Sequence, residues 1–123
     1  MNNSFDNITE MVRINKSKVS IRTVRLGGKE GDFFVYLSES LNVSGYGKSK
    51  EEAEESFQAN MKQFCVDLTS LSLENRDKEL RILGFVKTKF QNKNFSKTYV
   101  DGNGELQGFE EGTVEKMILE TVM

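Results

Sequence analysis

Residues 44–53, SGYGKSKEEA, combine glycines, lysines and serine, the residue types that hold phosphate at the start of a helix. The spacing does not fit, because a phosphate-binding loop needs four residues between its glycines and a dinucleotide-binding turn needs a third glycine. Ser49 and Glu52 instead have the spacing of a capping box. Further glutamates in the opening turns occupy the positive end of the helix dipole. The stretch therefore predicts a helix start that repels anions.

The residue types that the chain lacks exclude several kinds of catalytic and metal-binding site. The chain has no histidine and a single cysteine, Cys65, so the imidazole of Ser-His-Asp, Cys-His and His-bearing zinc sites is absent. Cys65 lies among apolar residues of a helical pattern, which is typical of a buried structural thiol. No acidic cluster has the spacing of a calcium loop. We therefore expect a protein that is not an enzyme and that uses no cofactor or metal.

Residues 85–99, FVKTKFQNKNFSKTY, offer a second kind of chemistry. Lysines bind phosphates and exposed aromatic rings stack on bases, so this stretch is a candidate nucleic-acid site. The same residues would also protect the edge of a sheet, because lysine discourages edge-to-edge pairing of strands. The candidate residues are Lys87, Lys89, Lys93, Lys97, Phe95 and Tyr99.

Three strands are predicted ahead of the helix start. Residues 18–26 and 33–37 are rich in β-branched and aromatic residues and flank a glycine-rich turn at 27–31, which predicts a hairpin. A third, half-buried strand ends at Gly45. The apolar residues of the first strand fall in two opposite phases, which predicts a bulge or burial on both faces.

A long amphipathic helix follows Ser49, because apolar residues recur at helical spacing with polar residues between them. The apolar stripe consists of Ala53, Phe57, Met61, Phe64, Leu68 and Leu71. Beyond it, we predict a strand at 80–90 and a hairpin at 94–109 that is closed by the turn DGNG at 101–104. We predict a short helix at the carboxy terminus, with Thr113 as its N-cap.

These elements predict an α+β fold, in which the helix covers one face of an antiparallel sheet with a β-β-β-α-β core. A carboxy-terminal hairpin and short helix extend it. The 123 residues fit a single domain, with a core at about 18–90 and an extension at 91–123. The net charge is −2, and no apolar run approaches the roughly 20 residues of a membrane span, so we expect no membrane partner. The first residues lack a secretion-signal pattern, which predicts a cytoplasmic location.

Two short motifs in residues 32–64 resemble a pattern that is known from a protein family. A strand with Val-Tyr and a following glutamate precedes a glycine, a serine and a Glu-Ala pair that open the helix. The matching positions are Phe34, Val35, Tyr36, Glu39, Gly47, Ser49, Glu52 and Ala53. This pattern resembles the amino-terminal domain of HicB-type antitoxins, although residues 38–43 replace the P-E-L-P-G-C stretch that is usual in that family.

The resemblance implies a fold like part of a double-stranded-RNA-binding domain, which in bacterial toxin-antitoxin systems binds and masks a small ribonuclease toxin. Because the pattern after residue 78 predicts mostly strands, we do not expect the helix-turn-helix tail of many such antitoxins.

We therefore expect a non-catalytic, antitoxin-like binding module whose partner is a small basic protein. The candidate contacts are Glu51, Glu54 and Glu55, because complementary charge would speed and orient the encounter. The same glutamates would also serve merely to cap and solubilise the helix. The alternative function is direct nucleic-acid binding through residues 85–99.

A homodimer is the last expectation from the sequence. The predicted strand at 80–90 has apolar residues on both faces, which is more than one helix on one face of the sheet can cover. A second copy related by a two-fold axis is a common way to cover such a surplus. We expect strands from residues 80–109 to pair or pack across the interface.

Overall fold

The computed structural model describes residues 8–87, 94–98 and 112–123, which form seven β-strands and two α-helices. The strands are β1 (Thr9–Asn15), β2 (Lys18–Glu30), β3 (Phe33–Ser38), β4 (Val43–Gly47), β5 (Val86–Lys87), β6 (Asn94–Thr98) and β7 (Glu115–Val122). The helices are α1 (Lys50–Ser70) and α2 (Leu73–Ile82). The described strands pair antiparallel in one sheet, and α1 packs on it, so the predicted α+β class is confirmed.

Strand β2 is the centre of the sheet. Its residues 18–22 pair with β1 and its residues 26–30 pair with β3. Strand β7 pairs with residues 20–27, overlapping both partners, so β1 and β3 must share one edge of β2 while β7 takes the other. Strand β4 extends the sheet beyond β3, and β6 and β5 extend it beyond β1.

The start of α1 forms as the capping pattern predicts. The Ser49 hydroxyl accepts a hydrogen bond from the Glu52 backbone N–H at 3.1 Å. The Glu52 carboxylate accepts from the N–H of Lys48 at 2.8 Å, one residue before the cap. Four residues of the predicted apolar stripe, Ala53, Phe57, Met61 and Leu68, are buried, and Cys65 is buried beside them. The other two, Phe64 and Leu71, are half-buried and pack against the core. Local sequence therefore fixes both the first residue and the inner face of this helix.

Strand β2 is buried on both faces, which explains its two phases of apolar residues. Val19 and Ile21 belong to the main core beneath α1. Val24 and Leu26 form a second, smaller cluster with Ile8. The strand also continues to Glu30, so the residues predicted as a turn at 27–31 lie mostly within it.

The predicted strand at 80–90 is wrong in its described part. Residues 80–82 end α2, and only Val86 and Lys87 form a strand. Gly84 has a φ of +96° and ends the helix, because its N–H reaches the Arg81 carbonyl at 2.9 Å and the Phe85 N–H reaches the Leu80 carbonyl at 2.9 Å. These two bonds form a Schellman motif, with Leu80 and Phe85 buried together in the core.

This correction removes the ground for a dimer through residues 80–109. The apolar residues of the described part, 80–87, are divided among the end of α2, the turn that follows it and β5, so they are not the two faces of one strand. The homodimer itself stays a prediction. The predicted hairpin at 94–109 contributes β6, while residues 99–109, with the turn at 101–104, lie outside the described residues.

The predicted short helix at the carboxy terminus is also wrong, because residues 115–122 form strand β7. Its apolar residues fit helical spacing, but the open edge of β2 offers eight residue pairs, and this pairing overrides local propensity. Thr113 does not cap a helix, and its hydroxyl accepts from the Lys29 backbone N–H at 3.0 Å. After α1 the chain therefore adds α2 and the strands β5, β6 and β7 to the sheet.

Candidate protein-binding surface

Two glutamates at the start of α1 form an exposed acidic surface. Glu51 and Glu55 lie one turn apart on the helix, and both side chains are exposed. Neither carboxylate forms a hydrogen bond or an ion pair with any residue that the structure describes. We call these two residues the acidic face of α1. Their negative charge is free to attract a positively charged group in solution.

Glu54, the third predicted contact, has a different environment. Its carboxylate accepts two hydrogen bonds from the Arg25 guanidinium, at 2.7 and 2.9 Å, and one from the Gln58 amide at 2.8 Å. Partial burial raises the pKa of Glu54, but the hydrogen bonds from Gln58 and Arg25 and the guanidinium charge outweigh it. The pKa therefore lies below its ordinary value of 4.5. Glu54 holds the helix to the sheet and is not part of the acidic face.

Arg25 is the residue of this region that sequence reasoning missed. Its side chain is 7 % exposed, and its guanidinium lies 4.1 Å from the centre of the Tyr36 ring and 5.3 Å from that of Phe57. It also donates to the Met117 sulfur at 3.0 Å. These contacts join β2, β3, α1 and β7 around one cation. The available signal was strand phase, since Arg25 shares the inward phase of the main-core residues in β2.

The glycines of residues 44–53 serve the packing of α1 against β4. A Cβ atom at Gly45 would lie 2.1 Å from the Phe57 backbone nitrogen. One at Gly47 would lie 2.4 Å from the Glu52 Cβ atom. Both distances are far inside van der Waals contact, so only glycine permits this approach. The helix start is therefore positioned by close packing against a strand, which agrees with a helix start and not a phosphate loop.

Two lysines lie beside the start of α1, one on strand β2 and one at the first residue of the helix. The ammonium groups of Lys29 and Lys50 lie 5.8 and 6.0 Å from the centre of the Phe34 ring. They border a cleft of about 250 Å³ that Tyr36 also lines. Because successive helix residues differ by about 100° in direction, Lys50 points away from the acidic face. The surface around the helix start thus separates positive from negative charge.

The lysines and aromatic residues predicted to bind nucleic acid are largely engaged where the structure describes them. Lys87 lies 3.0 Å from the Asp77 carboxylate. Lys97 donates to the Leu83 carbonyl at 3.0 Å, and its ammonium lies 5.9 Å from the centre of the Phe85 ring. Phe95 is only 3 % exposed, so its ring is not open to a base. Lys89, Lys93 and Tyr99 lie outside the described residues.

The remaining chemistry of the described residues is limited. Cys65 is 4 % exposed, and burial raises the pKa of its thiol to about 11, so it stays protonated at neutral pH. Within residues 8–87, 94–98 and 112–123, no group of three or more cysteine, aspartate or glutamate side chains is arranged to hold a metal ion. In the same part of the chain, neither helix has the length and apolar content to cross a membrane.

No protein-family model matches the chain, and comparisons with curated proteins and with solved structures give no match either. The acidic face of α1, with the rigid contacts that position it, is therefore the feature from which a function can be inferred.

Proposed function

We propose that the chain is a non-catalytic, HicB-like binding module that binds and masks a small basic protein, such as a ribonuclease toxin, in the cytoplasm. The observation that carries the proposal is the acidic face of α1, where Glu51 and Glu55 are exposed and make no contact with charged groups of the described residues. Complementary charge would raise the rate of encounter with a basic partner and orient it.

The rigidity of the helix start supports the proposal. The Ser49 cap, the close approach at Gly45 and the Arg25–Glu54 pair all fix the first turns of α1 on the sheet. A surface that is held in place before binding loses little conformational entropy when a partner docks, which favours affinity. The acidic face thus has the preorganisation that a protein-binding surface needs.

The residues of the HicB-like motifs also support a common fold. Tyr36 packs on Arg25, Gly47 allows the close approach of α1, and Ala53 is fully buried on the inner face of that helix. These positions build the joint between strand and helix. They favour a shared architecture, while Glu51 and Glu55 are this chain's own candidate contacts.

The nucleic-acid alternative gains no support from the described part of residues 85–99. Its lysines there already contact an aspartate or a backbone carbonyl, and its phenylalanine at position 95 is buried. A salt-sensitive titration with single- and double-stranded RNA tests this alternative directly. Binding that weakens steeply with salt, with no protein partner found, would favour it over the proposal.

The test uses the product of the neighbouring reading frame, provided that it is small and basic. Its binding is measured by calorimetry with the wild-type chain and with the Glu51→Lys/Glu55→Lys variant. We expect at least a tenfold loss of affinity and a slower association, because attraction becomes repulsion at the contact. The control is Asp67→Lys/Glu79→Lys, which changes the net charge equally at two exposed positions, one in the last turn of α1 and one on α2.

Two results would count against the proposal. If both double variants weaken binding equally, only the net charge matters, and the acidic face is not the contact. If neither weakens it at low salt, the partner binds elsewhere on the chain.

A further inference from the structure

A small cleft lies where the start of α1 meets the sheet. Its volume is about 250 Å³, and residues of β2, β3, β7 and α1 line it. The lining residues that carry an aromatic ring or a charge are Lys29, Phe34, Tyr36, Lys50 and Glu115. Because binding sites for drug-sized molecules usually have roughly 300–1,000 Å³, a cleft of this size suits a smaller molecule.

The register of the sheet brings Lys29 and Phe34 together. They are paired residues of β2 and β3, so their side chains stand on the same face of the sheet. Tyr36 lies two residues beyond Phe34 and packs against the main core under α1, so this is the face that the helix covers. Lys50, the first residue of α1, reaches the same ring from the helix. Three separate elements therefore position one ring and two ammonium groups.

The two lysines have no counter-ion within the described part of the chain. The ammonium group of Lys29 lies 5.8 Å from the centre of the Phe34 ring, that of Lys50 lies 6.0 Å from it, and neither forms an ion pair there. Lys29 is half-buried, whereas charged side chains that are removed from water are usually paired. Two like charges beside one ring also repel each other. An anion between them would be attracted to both and would reduce this repulsion.

We infer that the cleft binds a small organic anion with a flat ring, held by its charged group between Lys29 and Lys50 and by its ring against Phe34. Lysine ammonium groups bind phosphate and carboxylate groups as point charges, so both anionic groups belong to this class. Aromatic rings attract each other in offset and edge-on arrangements. The half-buried Phe34 ring therefore favours a ligand with a ring over a bare ion.

The charges of the lining determine which sign of ligand the cleft selects. Glu115 supplies the only carboxylate among the lining residues that the structure describes, and its side chain is exposed. The two ammonium groups outnumber it, so the lining has a net positive charge that attracts anions. Lys50 points away from the acidic face of α1. Ligand binding in this cleft therefore goes beyond the proposed partner binding and does not rest on it.

The first experiment titrates the isotope-labelled full chain with phenyl phosphate and follows the backbone amide resonances by NMR. We expect shifts at residues 27–29, 34–36 and 113–115. Lys29→Gln and Lys50→Gln should each weaken binding at least about threefold, because each removes an attracting charge, whereas Glu115→Gln should strengthen it. The control Lys62→Gln changes the net charge equally at an exposed position about 18 Å further along α1, and it should leave the affinity unchanged.

A second experiment separates the ring of the ligand from its charge. Inorganic phosphate has the charge but no ring, so it should bind more weakly than phenyl phosphate, and Phe34→Leu should remove that difference. Benzoate carries the same ring with a carboxylate, and the tighter of the two aromatic ligands identifies the anionic group that the cleft prefers. Three results would overturn the inference: neither aromatic ligand shifts these resonances at millimolar concentration, Lys62→Gln weakens binding as much as the two cleft lysine variants do, or Glu115→Gln weakens it.

Discussion

The guanidinium of Arg25 donates two hydrogen bonds to the carboxylate of Glu54, at 2.7 and 2.9 Å, and thereby joins the central strand to the long helix. The arginine side chain is 7 % exposed, while that of the glutamate is 40 % exposed. Water can solvate the Glu54 carboxylate but hardly reaches the Arg25 guanidinium. Loss of the pair would therefore leave the arginine charge buried without compensation, whereas the glutamate charge would still be hydrated.

Replacement of Glu54 by alanine should destabilise the fold. Removal of one partner from a fully buried ion pair costs about 3–5 kcal/mol, but water reaches Glu54, so we expect about 1–3 kcal/mol. Urea denaturation at pH 7 measures the loss. Glu55→Ala is the matched control, because that exposed side chain has no partner among the described residues, and its effect should stay within about 0.5 kcal/mol. Equal midpoints for both variants would contradict the structural role of the pair.

The Arg25–Glu54 pair should also make stability depend on pH. The pKa of Glu54 is lower in the folded chain than its ordinary 4.5. The folded state therefore favours the ionised carboxylate, and this contribution is present above pH 4.5 and is lost as the pH falls through the folded pKa. We expect the difference in urea midpoint between the wild type and Glu54→Gln to be constant from pH 7 to pH 5 and to shrink below pH 4.5. A difference that grows in acid would contradict this sign.

The sequence predicts those parts of the fold in which local chemistry decides the structure. The cap at Ser49 and the apolar stripe fix α1, and the β-rich runs fix the order of β2, β3 and β4. It fails where distant pairing decides. Strand β7 has a helix-like pattern, and it becomes a strand because the edge of β2 lies open to it. Strand β1 was not predicted, because only Val12 and Ile14 alternate with polar residues and the charged Glu10 occupies the same inward phase.

The candidate site also has residues whose environment follows from local sequence and residues whose environment depends on distant contacts. Exposure of Glu51 and Glu55 follows from their place on the outer side of an amphipathic helix. The engagement of Glu54 depends on Arg25, which lies 29 residues earlier in the chain, so no local pattern indicates it. The burial of Phe95 likewise follows from the pairing of β6 with β1. Contacts with residues distant in the sequence therefore decide which candidate side chains stay exposed and which are used to hold the fold together.

Gly45 should tolerate no side chain. An added Cβ atom would lie 2.1 to 2.7 Å from backbone atoms of α1, and a helix backbone cannot yield as a flexible side chain does. We expect Gly45→Ala to destabilise the fold by at least about 3 kcal/mol in urea denaturation, at the upper end for overpacking. Gly31→Ala is the control, because that turn residue has open space around it and a φ of +62°, and it should cost only about 1 kcal/mol. Similar losses for both would show that α1 can shift away from β4.

Glu10 closes a gap in the sheet where β2 lies between its two neighbours. Pairing with β1 ends at Arg22, and pairing with β3 begins at Leu26, so the intervening residues face no strand on that edge. The fully buried Glu10 carboxylate accepts there from the Val24 backbone N–H at 2.9 Å and from the Thr23 hydroxyl at 2.6 Å. Its other oxygen accepts from the hydroxyl of Ser40.

Replacement of Glu10 should therefore destabilise the chain in a defined order. Glu10→Gln keeps an oxygen for the Val24 N–H and Thr23, and its amide can donate to a rotated Ser40 hydroxyl, so we expect a loss of about 1 kcal/mol. Glu10→Leu removes the acceptor of the Val24 N–H and of the Ser40 hydroxyl, while the Thr23 hydroxyl keeps its contact with the Ser38 hydroxyl at 2.7 Å. This variant should cost about 3 kcal/mol in urea denaturation. Met11→Leu, on the same strand, conserves volume and should cost less than about 1.5 kcal/mol. If the leucine variant at position 10 were as stable as the wild type, the burial of the carboxylate would cost as much as its three hydrogen bonds contribute.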